Sequence, residues 1–162
     1  MLKIRNVLYE DLPKLIEIET QCFTKEEAAT QAAFEKRIKL IPDSFFVAEE
    51  DGVIVGLVNG PVIESPYITD DLFSEIKPNP PEEGYQSILG IAVTPKFQKK
   101  GVAAALLKEL EREAQECNRE GITLTCKEEL ISFYEKFGFM NRGISNSEHG
   151  GVTWYNMIKK LN

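Results

Sequence analysis

The sequence predicts an α/β fold: a mixed, mostly antiparallel central sheet of about seven strands flanked by helices. Segments of strand and helix periodicity alternate along the chain in the order β-α-α-β-β-β-α-β-α-β-β. An Asp51-Gly52 turn joins two apolar segments, which makes part of the sheet antiparallel. A long amphipathic helix stands between two apolar strands in the second half, so helices must cover the sheet.

Taken in order, residues 2–8 alternate apolar and polar side chains and read as the first strand. Asp11 and Pro13 open a helix to about Cys22, in which Leu12, Leu15, Ile16 and Ile18-Glu19 form an imperfect apolar stripe. Residues 28–40 are a second helix, stopped ahead of Pro42 because the residue before proline avoids helical backbone. Residues 45–50 and 53–63 are the two arms of the hairpin. The stretch 64–84 holds five prolines or glycines and several acids, with a short helix at 70–74; irregular segments this long are functional or mobile. Residues 85–94 form a strand interrupted by Gly90. Residues 101–118 form a helix with Leu106, Leu107, Leu110 and Ala114 on one face. A strand at 122–126, a helix at 128–136 and strands at 138–144 and 152–158 complete the chain.

With 162 residues, 43% of them hydrophobic, the chain suits a single domain over residues 1–162 with a sizeable core. A formal charge of -7 argues against a duplex nucleic-acid binder, which needs a basic surface, and is compatible with a small cationic substrate. No apolar run approaches the roughly 18–20 residues of a membrane span. No signal-peptide core follows the N-terminus, so a cytoplasmic location is expected. Cys22, Cys117 and Cys126 are odd in number and widely spaced, which suggests neither a disulfide framework nor a metal cluster.

The most informative segment runs from Ile91-Ala92-Val93 through a turn into the helix beginning at Gly101. The first turn of a helix carries N–H groups without intrahelical partners and a partial positive charge. Gly101 with Ala103, Ala104 and Ala105 lets an anion approach that backbone, and Lys96, Lys99 and Lys100 gather positive charge on an acidic chain. Together they describe an anion site at a helix N-terminus, or else a well-capped helix with solvated lysines. Neither common nucleotide loop is present.

Gln98-Lys99-Lys100-Gly101-Val102-Ala103 resembles the Gln/Arg-x-x-Gly-x-Gly/Ala pyrophosphate loop of the GCN5-related N-acetyltransferases. Phe133-Tyr134-Glu135-Lys136-Phe137-Gly138-Phe139 resembles the second signature of the same family, and the order of elements matches its acyl-CoA N-acyltransferase fold. Within it, residues 22–29 and 126–137 look most like the arylalkylamine (serotonin-type) branch. The resemblance implies acetyl-CoA as cosubstrate, no metal, and a sheet whose strands splay at the centre. It implies that Ile91, Ala92 and Val93 pair with the pantetheine arm as a strand would. Gln98, Lys99, Lys100, Gly101, Val102, Ala103 and Ala104 hold the pyrophosphate. Gly90 fits a bulge or a close backbone approach that would splay the strand, or else a glycine tolerated at a crowded core position. The resemblance further implies that Tyr134 protonates the departing thiolate, a tyrosine on a short amphipathic helix otherwise reading as core, and that the Ile91 N–H stabilises the oxyanion.

Two departures from the family stand out. Lys127 replaces an asparagine often found seven residues before the tyrosine, and Ser87 and Leu89 occupy the positions of two histidines that animal members use as the base. An acid between the first two helices is the substitute, and Glu27 aligns best; Thr24-x-x-Glu27 equally reads as a capping box for the second helix. Cys22 reads as a packing residue and His149 as a solvated residue in a His-Gly-Gly turn. The expected function is acetyl transfer to a small primary amine, with an arylalkylamine as the narrower expectation. The alternatives are acetylation of protein N-termini, lysines or polyamines, or a non-catalytic acyl-CoA sensor. The expected partners are coenzyme A and the amine, with no nucleic acid or membrane, in a monomer or homodimer.

Overall fold

A computed structural model describes residues 1–147 and 149–161. Its elements follow the expected order: β1 (Leu2–Asn6), α1 (Leu12–Cys22), α2 (Gln31–Leu40), β2 (Phe45–Glu50), β3 (Val53–Asn59), β4 (Val62–Ile63), β5 (Tyr85–Ile88), β6 (Gly90–Val93), α3 (Val102–Glu116), β7 (Gly121–Cys126), α4 (Ile131–Glu135), β8 (Met140–Ile144) and β9 (Tyr155–Lys160). The helix expected from residue 28 starts at Gln31, because Thr30 caps it by accepting from the Ala33 N–H at 3.1 Å. Residues 24–28 form an isolated turn instead, with the Ala28 N–H on the Thr24 carbonyl at 2.8 Å.

The strands divide into two sheets, one ordered β1-β2-β3-β6 and the other β4-β5-β7-β9-β8. The expected mixed, mostly antiparallel sheet with strands splayed at its centre is thus present, the splay dividing it into sheets of four and five strands because two long strands bend and each contributes to both. The outer hairpin arm breaks at Gly60-Pro61 into β3 and β4, and its neighbour breaks at Leu89 into β5 and β6. The first half of one strand, β3, pairs antiparallel with the second half of the other, β6, with Leu57 opposite Ala92. The remaining halves, β4 and β5, also pair antiparallel, with Val62 opposite Gln86. β5 continues into a parallel ladder with β7, from Tyr85 opposite Gly121 to Ile88 opposite Leu124, where the ladder ends. Beyond that point β6 stays with β3 and β7 stays with β9, so a wedge opens between Gly90–Val93 and the end of β7.

The strand is irregular where expected, since the Leu89 N–H bonds the Asn59 carbonyl at 2.8 Å while Gly90 stands opposite the same residue, and a close approach occurs on the neighbouring strand. A Cβ on Gly60 would lie 2.1 Å from the Ser87 carbonyl oxygen, so only glycine permits this approach. A Cβ on Gly90 would meet only the Asn59 amide nitrogen at 3.8 Å, an ordinary contact. Gly60 thus permits the close approach on one strand, and the irregularity at Leu89-Gly90 on the other leaves space at the mouth of the wedge.

Helices hold the two faces. Val102, Leu106, Leu107, Leu110 and Ala114 of α3 bury against Phe46, Val55 and Val58 on one side. Leu12, Leu15 and Ile18 of α1 pack with Phe34, Phe45 and Leu57 on the other. Each fully buried Leu or Phe contributes about 1.5–3 kcal/mol, so the clusters fix α1 and α3 firmly on either side of the wedge. Among the described residues no helix is long and apolar enough to cross a membrane.

Candidate active site

The wedge meets two structures in which the sequence concentrates chemistry. The first is the turn from β6 into α3. Lys99 and Gly101 both have positive φ, 63° and 86°, on either side of Lys100. Such alternation curls successive N–H groups toward one point and makes an anion-binding concavity. Gly101 is also the residue before α3, and the first acceptor-bonded N–H of the helix is that of Ala105, on the Gly101 carbonyl at 3.0 Å. The N–H groups of Val102, Ala103 and Ala104 therefore face out of the helix end. Nothing lies within 4 Å of a Cβ built on Gly101, so the approach to these groups is open.

Not every residue expected here is free to bind. The Gln98 amide donates to the Val93 carbonyl at 2.9 Å and ties the turn to β6. The Val102 side chain is buried in the core, and Lys100 lies over the Phe97 ring at 5.5 Å. In β6, the Thr94 N–H bonds the Val55 carbonyl at 2.8 Å, and strand alternation then directs Ala92 toward β3 and turns Ile91 and Val93 into the wedge. The Val93 carbonyl already accepts from Gln98 and from the Cys22 thiol, the latter at 3.1 Å. Ile91 is the residue whose N–H and C=O are presented to a ligand strand.

The second structure is a cavity of about 90 Å³ deeper in the wedge, between Ile88–Ile91, Leu124–Cys126, α4 and the segments after α1 and β8. Tyr134 of α4 is 5% exposed and lines it, its ring edge-on to Phe133 and Phe139 at centroid distances of 5.1 and 5.8 Å. Burial, and then the nearby Cys126, pushes the phenol well above its ordinary range, so it stays protonated and able to donate.

The opposite wall is acidic and aromatic. Glu27, 8% exposed, holds Lys127 through a 2.6 Å ion pair. Burial alone would raise its carboxyl pKa; the hydrogen bond and charge of Lys127, with contacts to Thr24, outweigh it and hold the pKa below its usual value. The two sequence departures thus meet: the lysine at the asparagine position neutralises the acid at the expected base position. The Thr24 hydroxyl does accept from the Glu27 N–H, at 3.3 Å, but that box caps the isolated turn and not α2.

His149 is not the solvated turn residue expected. Its Nε2 lies 2.9 Å from the Glu27 carbonyl and its ring stacks on Phe73 at 4.2 Å, while the Trp154 indole donates to its carbonyl at 2.6 Å. A carbonyl only accepts, so Nε2 carries the hydrogen. Phe73 comes from the short helix in the long 64–84 segment, so that segment closes over the cavity. Ser87, at one histidine position, is buried and donates to the Pro61 carbonyl at 2.5 Å; Leu89, at the other, lines the cavity.

Sequence reading missed Glu19. It lines the cavity and is 5% exposed, with Oε2 accepting from the Ala29 N–H at 2.7 Å. Its signal was present: Leu12, Leu15 and Glu19 share one helical face, which places a carboxylate on the buried stripe. Among the described residues, no group of three or more His, Cys, Asp or Glu side chains is arranged to hold a metal.

A wedge between parallel-paired strands, a phosphate-sized concavity at a helix start and a buried tyrosine beyond it define an acyltransferase architecture. The chain belongs to the acetyltransferase (GNAT) family, whose model matches residues 12–139. Comparison with curated protein sequences found no match. Among solved structures, the GphF GNAT-like decarboxylase in complex with isobutyryl-CoA superposes with a TM-score of 0.85 at 18% identity, over 99% of this chain and 100% of that one. Ard1 from Thermoplasma volcanium gives 0.76 at 22% identity, over 99% and 98%. The ribosomal-protein-S18-alanine N-acetyltransferase of Escherichia coli gives 0.75 at 18% identity, over 100% and 95%.

Proposed function

We propose that the protein transfers acetyl from acetyl-CoA to a small primary amine with an apolar or aromatic body, arylalkylamines being the narrower class. The observation that carries this is the cavity wall, where Glu19 and Glu27 stand among Phe23, Phe73 and Trp154 under the 64–84 segment. Carboxylates suit an ammonium group, aromatic faces suit both cation and ring, and the covering segment narrows the approach for a polypeptide.

The Lys99–Ala104 turn holds the pyrophosphate through main-chain N–H groups, and Ile91 pairs with the pantetheine arm. A thioester so placed lies along the wedge toward Tyr134. The free amine attacks the carbonyl carbon, the Ile91 N–H takes up the oxyanion charge, and Tyr134 protonates the sulfur as the C–S bond breaks. Glu27, neutralised by Lys127 and held at a low pKa, is poorly suited to accepting a proton, which leaves Glu19 as the carboxylate that meets the ammonium.

The test is an acetyl-CoA turnover screen across arylalkylamines, polyamines and peptides. Arylalkylamines are expected to give the highest kcat/KM. A peptide or polyamine preferred by tenfold or more would replace the acceptor class, and binding of acetyl-CoA without turnover of any amine would indicate a sensor.

A further inference from the structure

A polar atom of the cavity-lining Glu19 has no hydrogen-bond partner among the described residues, and a second, complementary one lies behind the wall on Asn59. Glu19 Oε1 is an acceptor and Asn59 Nδ2 is a donor, both closed to bulk water. A buried polar group is normally hydrogen-bonded, so an unpartnered carboxylate oxygen on a cavity-lining residue marks a place that a ligand or water completes. Asn59 cannot be reversed to remove its orphan: Arg37 Nη1 donates to Asn59 Oδ1 at 3.1 Å, which leaves the amide NH2 group turned the other way. It lies behind Gly90, 3.8 Å from where a Cβ would be, and Gly90 is itself part of the cavity wall.

We propose that Glu19 is the proton acceptor for the amine, receiving the proton at Oε1 directly or through one water in the cavity that Glu19 lines. This rests on the amine-acetyltransferase reading above. The ammonium gives one proton to Glu19, and the nitrogen lone pair forms the C–N bond while the carbonyl π pair moves to oxygen. Collapse breaks the C–S bond; Tyr134 protonates the sulfur, and the second proton leaving nitrogen restores the phenol. Glu19 then returns its proton to water.

The surroundings suit that task. Burial holds the Glu19 carboxyl above its ordinary range, with the Ala29 N–H and the charge of Arg37 pulling it partly back. A carboxylate poised in this way is a better base near neutrality than one held by a lysine. The charged and titratable groups around it are Arg37 on α2, the Glu27–Lys127 pair, His149, Cys22 on its own helix, and Cys126 and Tyr134 on the cavity's far side.

The experiment compares wild type, Glu19→Gln, Glu19→Asp and Glu27→Gln with acetyl-CoA and phenethylamine from pH 6 to 9.5, with calorimetric binding of coenzyme A as the check on folding. Glu19→Gln should lose ten- to a hundredfold in kcat/KM at pH 7 and recover about tenfold per pH unit, as the free-amine fraction, roughly 0.1% at pH 7, increases. Glu27→Gln should keep the wild-type pH profile. Glu19→Asp, which retains a carboxylate one methylene further away, should lose less than Gln at pH 7 and show a displaced acidic limb. A Gln variant with the wild-type profile, or one depressed equally at all pH values, overturns the assignment; if Gln does not fold, an Asp variant with the wild-type acidic limb does so. Wild type that binds coenzyme A yet acetylates no amine removes the functional reading itself, and this proposal with it.

Discussion

Gly60→Ala tests the close approach of Gly60 to Ser87. The new Cβ would lie 2.1 Å from the Ser87 carbonyl oxygen and 2.6 Å from its carbon, both main-chain atoms that no rotamer change can remove. The two strands must separate by about 1 Å to restore normal contact. Three hydrogen bonds span this gap: Gln86 Nε2 to the Gly60 carbonyl at 2.7 Å, and the Ser87 hydroxyl and N–H to the Pro61 carbonyl at 2.5 and 3.1 Å. At about 1 kcal/mol net each, losing two or three costs about 2–3 kcal/mol. For a chain of this size each kcal/mol lowers Tm by about 2–4 °C, so a fall of about 4–12 °C is expected. Thermal melting of Gly60→Ala beside Gly90→Ala provides the assay and its control. Gly90→Ala makes only an ordinary contact and should melt close to wild type. A Gly60→Ala protein within 2 °C of wild type, or a larger loss in the Gly90 variant, would refute the reasoning.

The Glu27–Lys127 pair makes a pH prediction. The folded carboxyl pKa lies below its usual 4.5, so the pair's stabilisation is present above that value and fades as pH falls through the folded pKa. Lys127→Met leaves the carboxylate buried without its cation, and about 1–2 kcal/mol should be lost at pH 7, discounted for the lysine's exposure, with the Tm gap shrinking below pH 4.5; a gap independent of pH would contradict this. Tyr134→Phe keeps the ring packing and should lower kcat ten- to a hundredfold with acetyl-CoA affinity kept, and wild-type turnover would make the tyrosine structural. Gly101→Glu should weaken coenzyme A binding more than tenfold, or about 1.4 kcal/mol, beyond the effect of Gly101→Ala; that variant carries the same positive-φ strain without the charge, so calorimetry giving equal affinities would remove the pyrophosphate assignment.

The parts of this fold governed by local periodicity and turn chemistry were legible in the sequence. The α3 stripe, the Asp51-Gly52 hairpin and the short helix near residue 70 lie where expected, because each depends on neighbours close in the chain. The central splay was expected from the resemblance, but the close approach of Ser87 to Gly60 was not legible, being a contact across 27 positions that no local pattern encodes. The site divides in the same way. The helix-start concavity follows from Lys99 and Gly101, but the side-chain roles of Gln98 and Val102 were decided by what β6 and the core offered them. Glu27 met a lysine a hundred residues away, and His149 met Phe73 from a loop whose path the sequence did not specify. Glu19 was the recoverable omission: a carboxylate on a buried stripe is a stronger sign than an alignment position.

The handover of one strand from one sheet to the other at Leu89 also makes the apo protein an indicator of its own occupancy. The amides flanking the wedge, that of Ile91 in particular, lack the inter-strand partner that Leu89 and Thr94 have on β3 at 2.8 Å. Such amides exchange with solvent deuterium without waiting for the fold to open, whereas their neighbours wait for local unfolding. A ligand laid along β6 would slow exchange at Ile91 selectively. Deuterium uptake resolved by residue therefore reads coenzyme binding directly, without turnover and without knowledge of the acceptor.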